Sequence, residues 1–157
     1  MTTNYLQMMI DSLKKKKDIL TRIIALNEEQ DKILSKPELD DNAFDANMKA
    51  KGDCIDELDR LDEGFQSLFN RVRDAINANK EMYANEISVM KRLITEVTEL
   101  GAKIEVQEAR NKVKVEAMLR RERQEHKEAK RSASMAKSYY QNMSKVSNEP
   151  QFMDTKQ

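Results

Sequence analysis

The chain has 157 residues, room for one domain, and combines 36% charged residues with only 5% aromatic ones at a formal net charge of zero. Three glycines, two prolines and no tryptophan leave long stretches rich in Leu, Lys, Glu, Ala and Met, which favour helix over sheet. So little large apolar mass argues against a deep enzyme-type core and for elongated helices packed along a shared seam.

The first predicted helix spans about residues 3 to 35. Leu6, Met9, Leu13, Leu20, Ile23 and Leu34 follow a 3-4 repeat whose other positions are Lys16, Asn27 and Gln30. Then "SKPELDDN" breaks the pattern. Pro37 disfavours helical geometry at Lys36, and Asp40, Asp41 or Asn42 can cap the next helix.

The second helix is expected from about residue 41 to 76, with the seam Phe44, Met48, Lys51, Ile55, Leu58, Asp62, Phe65, Phe69, Val72 and Ile76. A loop this short implies that the two helices pack antiparallel as a hairpin over residues 3 to 76. If Leu34 opposes Phe44, Leu20 meets Leu58 and Leu13 meets Phe65. The same register sets the misfit Lys16 opposite the misfit Asp62, and Asn27 opposite Lys51. A charged pair inside a seam fixes alignment at some cost in stability. Lys16 and Asp62 are therefore the expected register pair.

A turn near residues 77 to 80 would fold back a third helix, running to about residue 131. A single second helix reaching Gly101 stays open, because the stripe passes through residues 76 to 83. The third seam is Tyr83, Ile87, Met90, Ile94, Val97 and Ile104. After Gly101 the phase changes. At about 100° per residue, Ala102, Val106, Ala109 and Val113 lie opposite the earlier stripe, while Val115, Met118 and Leu119 return to it. Either the helix breaks at Gly101, or one helix carries two apolar faces and the second needs a partner. From Arg120 the sequence loses useful periodicity, so fraying helix is expected to about residue 131 and a mobile tail over residues 132 to 157. The fold class is thus all-α: a bundle of about three long helices over residues 1 to 131, with that tail.

Charge is uneven along the chain. Residues 38 to 64 hold ten acids against three bases, and residues 103 to 145 hold twelve bases against six acids. Asp53, Asp56, Asp59 and Asp62 recur at every third position, a spacing that raises the question of a metal. On a helix they fan across half the circumference and cannot converge on one ion, and a calcium loop needs acids at alternate positions with a central glycine. No metal site and no cofactor are expected. Asp53, Asp56 and Asp59 read as a solvated face.

His126 is the sole histidine, and neither a nucleophile motif nor a phosphate loop occurs, so no enzymatic activity is expected. The basic stretch from Arg120 to Arg131 alternates with Glu122, Glu125 and Glu128 and lacks interleaved aromatics, so no nucleic-acid partner is expected. The lone Cys54 fits a reducing compartment. In "MTTNYLQMMIDSLKKKK" the positive cluster follows the apolar residues, the reverse of a signal peptide. No apolar run approaches the roughly 20 residues that span a bilayer. A cytoplasmic protein without membrane insertion is the expectation. Ten methionines add adaptable apolar surface.

The stretches "KDILTRIIALNEEQDKIL" and "FDANMKAKGDCIDELDRLDEGFQSLF", with Gln30, Lys51 and Leu58 to Phe65 at the matching positions, resemble the first hairpin of bacterial flagellar export chaperones of the FlgN/FliT type. "IEVQEARNKVKVEAML" and "SYYQNM" are similar to variants of that family, so the resemblance covers most of residues 5 to 143. It implies a cytoplasmic all-helical chaperone that holds the C-terminal helix of a hook-filament junction or filament-cap protein and delivers it to the export apparatus. The phase shift, not the resemblance, nominates Val106, Ala109, Val113, Met118 and Leu119 as partner-binding residues, by a helix-in-groove mode. A coiled-coil scaffold or adaptor in an unrelated assembly is the alternative. Monomer and homodimer both stay open.

Overall fold

The computed structural model describes residues 1–124 and 129–143, with side chains omitted at 129–131. Four helices follow one another: α1 Thr2–Leu34, α2 Asp41–Ala78, α3 Ala84–Arg123 and α4 Ala129–Asn142. None of them is long and apolar enough to cross a membrane.

Each boundary has a local cause. Past α1, the Ser35 hydroxyl donates to the Asp31 carbonyl at 2.7 Å, and its N–H also reaches that carbonyl at 3.0 Å. These bonds satisfy a carbonyl that the helix leaves orphaned, and Pro37 lies just beyond. Asp40 then caps α2 by accepting from the Ala43 N–H at 3.1 Å. At the other end of α2, the Asn79 N–H donates to Ala75 and Ile76 carbonyls, both at 3.2 Å. The turn thus falls at residues 79–83, which settles that α2 does not continue to Gly101. Gly101 is buried inside an unbroken α3, so of the two readings there the break is excluded, and one helix carries both the buried seam and a second, exposed apolar face.

α1 packs against both α2 and α3, while α4 packs against α2 and α3. Contacts between α1 and α2 join Tyr5 with Arg71, Lys16 with Asp62 and Gln30 with Asn47. The core divides in two along the bundle. One cluster gathers Leu6, Met9 and Leu13 with Phe65, Val72, Met90 and Leu93. The other gathers Leu20, Ile23, Phe44, Ile55, Leu58 and Ile104 with Val115, Met118 and Tyr139.

α4 corrects the expected tail. Residues 132 to 142 are helical, because Ser132, Ala136 and Tyr139 repeat at 4-3 spacing and all lie buried. Ser132 Oγ also donates to Asp45 on α2 at 2.9 Å. Residues 144–157, the rest of that expected tail, lie outside the described residues.

Lys16 Nζ donates to Asp62 Oδ1 at 2.9 Å, with side-chain exposures of 5% and 32%. The pair sits between Leu13 and Leu20 on one helix and Leu58 and Phe65 on the other. Burial pushes the Asp62 carboxyl above the ordinary aspartate value, and the adjacent Lys16 ammonium only partly offsets this. Desolvation therefore takes back part of the Coulombic gain. A double-mutant cycle of Lys16→Ala and Asp62→Ala should give a coupling of about 0.5–2 kcal/mol by urea denaturation. Absence of coupling would show that the pair does not fix the alignment.

Candidate functional site

Two features set this molecule apart from a plain apolar bundle: a polar layer sealed inside it, and an apolar stripe left outside.

The polar layer draws on all four helices. Lys51 of α2 donates to Glu108 Oε1 of α3 at 2.8 Å and to Gln30 Oε1 of α1 at 3.2 Å. Its ammonium also lies 4.2 Å from the ring centroid of Tyr139 on α4, whose hydroxyl donates to Glu108 Oε2. Gln30 turns its amide nitrogen to Asn47 Oδ1 at 3.1 Å. On either side of Glu108 along α3, Gln107 Oε1 accepts from Asn27 Nδ2 at 3.1 Å, and Asn111 Nδ2 donates to the Asn27 carbonyl at 3.0 Å. Asn27 and Lys51, which the sequence register placed opposite each other, thus take separate partners. Each turns instead to α3, Lys51 to Glu108 and Asn27 to Gln107.

Lys51 is 0% exposed and Glu108 1% exposed at the side chain. Burial lowers the Lys51 pKa and the Glu108 carboxylate opposes that shift. The Tyr139 phenol is pushed far above its usual value, by burial first and by Glu108 second, so it stays a donor. The layer is sealed from solvent at both charged side chains. What it can do is hold four helices in one mutual alignment, since a slipped arrangement would leave a buried charge unpaired.

The stripe lies on the opposite side of α3. Val106 is 68% and Val113 65% exposed, and Ala102 and Ala109 are exposed beside them. Of the five residues nominated as partner-binding, these valines and Ala109 therefore share one open face. Met118 and Leu119 do not join them: both are buried in the core next to Ala136 and Tyr139. The reason is phase. At about 100° per residue they fall on the inward side, which α4 covers.

The aspartates of α2 separate as well. Asp53 pairs with Lys49 at 3.0 Å and Asp62 turns to Lys16, while Asp56 is exposed. Among the described residues no group of three or more His, Cys, Asp or Glu is arranged to hold a metal ion. His126, within the basic segment, lies outside the described residues. The polar layer was the feature that sequence reasoning missed. Its signal was present in the seam misfits Asn27, Gln30 and Lys51, which needed partners on a third helix.

No protein-family model, curated protein or solved structure matches the chain.

Proposed function

We propose that the protein is a helical chaperone of the flagellar type III export class, working in the cytoplasm. In this reading α1 and α2 form an antiparallel hairpin that serves as a rigid back. The open face of α3 holds the C-terminal amphipathic helix of a hook-associated or filament-cap protein and presents it to the export apparatus. The observation that carries the reading is the stripe Ala102, Val106, Ala109 and Val113, which none of the described residues covers. The two valines, with Ala109 between them, are mostly exposed and add little to the bundle, yet they supply the apolar half of a helix-on-helix contact. The resemblance of residues 5 to 143 to FlgN/FliT-type chaperones supplies the client.

Co-purification from cells with hook-junction and cap proteins tests this. Val106→Glu with Val113→Glu should abolish capture, while the thermal midpoint moves by no more than about 2–4 °C because both sites are exposed. Undiminished capture by that variant would place the client elsewhere. Capture of no flagellar protein by the wild type would remove the reading.

A further inference from the structure

The apolar stripe has two unlike edges. At about 100° per residue, Lys103, Arg110 and Arg121 fall in one row along its first edge, with Lys114 just behind them. Lys103, Arg110 and Arg121 are exposed, and Lys103 and Arg110 enter no ion pair among the described residues, whereas Lys114 pairs with Asp31 of α1, a carboxylate that also feels the Arg110 charge. Glu99, one turn before Lys103, ends the row. The second edge alternates in sign: Glu105, Lys112, Glu116 and Arg123, all exposed. Lys112 is further engaged by the Tyr140 ring, 5.5 Å away.

We infer that the stripe is built for an amphipathic partner helix with one acidic flank, seated so that its carboxylates lie along Lys103 and Arg110. The inference rests on reading the stripe as a helix-docking surface, and adds the chemistry and orientation of what docks. An apolar seam alone would accept a helix running in either direction. Turning a docked helix end for end exchanges its two flanks, so a basic edge beside a mixed edge selects one direction as well as one partner charge.

The chain does not supply this partner from its own described surface. The acidic face of α2, with Asp53, Asp56, Glu57 and Glu63 exposed, has no large apolar side chain to fill the stripe. The other exposed large apolar residues, Met1, Met8 and Met82, belong to the far end of the bundle. Antiparallel pairing of α3 with a second copy across a twofold axis would lay the basic edge against itself, which like charges oppose.

The test uses the full chain and three synthetic amphipathic peptides of about three heptads, each with a leucine seam. One flank is held with alternating Lys and Glu; the other is all Glu, all Gln or all Lys. Fluorescence anisotropy at low salt should rank binding Glu, then Gln, then Lys. The Glu flank should gain about tenfold over Gln, the worth of two rim pairs, and most of this should vanish near 0.5 M salt. Lys103→Glu with Arg110→Glu should invert the order, and Val106→Glu with Val113→Glu should abolish all three. Circular dichroism of each variant checks that it folds.

Equal binding of the three peptides overturns the inference, as does an order that survives the Lys103/Arg110 reversal. A dimer that Val113→Glu converts to monomer also overturns it, since the stripe would then belong to a second copy. The outcome stays separate from the flagellar reading. If the ranking holds but no flagellar protein is captured, that reading fails and the surface stands. If a flagellar protein is captured and the ranking is absent, the reverse is true.

Discussion

Glu108→Ala is expected to lower the unfolding free energy by about 3–5 kcal/mol, the cost of removing one partner from a buried ion pair. Its carboxylate accepts from Lys51 and from Tyr139 within a layer that solvent does not reach. Alanine would leave the Lys51 ammonium with only Gln30 Oε1 and the Tyr139 ring, and would orphan the phenol hydroxyl of α4. The size of the loss is thus the cost of an uncompensated charge, not the net worth of the pair. That distinction has its own test. Replacing both Lys51 and Glu108 by methionine should restore most of the lost stability, or exceed the wild type, because the desolvation of two ions is then avoided. Guanidinium denaturation measures both. A Glu108→Ala variant that loses under about 1 kcal/mol would mean that Lys51 reaches water by an easy rotation, and that the layer does not hold the four helices in one alignment.

The second large effect belongs to Phe44→Ala, expected to cost about 3–5 kcal/mol. Phe44 is 0% exposed on the first turn and a half of α2, in the core cluster that also holds Leu20, Met48, Ile55 and Tyr139. Four helices surround that cluster, so no single one can move inward to close the void without pulling on the others. By contrast, Val106→Ala on the open face should fall within about 0.5 kcal/mol of wild type. Differential scanning calorimetry of the two variants makes the comparison. Similar losses at Phe44 and Val106 would show that α3 does not present its stripe to solvent.

The parts of this molecule that could be read from sequence are those in which apolar residues recur. The seams of α1 and α2, the break at Pro37 and the second face of α3 all follow from spacing. The meeting of Lys16 with Asp62 was legible too, because two misfits at matching distances from one loop point to each other. What spacing hid was the continuation of the inward seam of α3. Beyond Ile104 that seam runs through Gln107, Glu108 and Asn111, all buried. A search for apolar periodicity skips such residues, so α3 read as changing phase at Gly101 when it had merely become polar on its core side. α4 was hidden for a related reason. Its buried positions are Ser132, Ala136 and Tyr139, too small or too polar to register as a stripe, and their partners Lys51, Glu108 and Asp45 are charged. Met118 and Leu119 were misplaced because the element that covers them had not been seen.

The proposed function stands on the open stripe of α3, and site-specific photo-crosslinking in cells tests it directly. A photoreactive side chain placed at Val113, or at Val106, should capture the C-terminal helix of a hook-associated or filament-cap protein. The same group at Asp56, on the exposed acidic face of α2, should capture none of it. Capture from Asp56 but not from Val106 or Val113 would contradict the account.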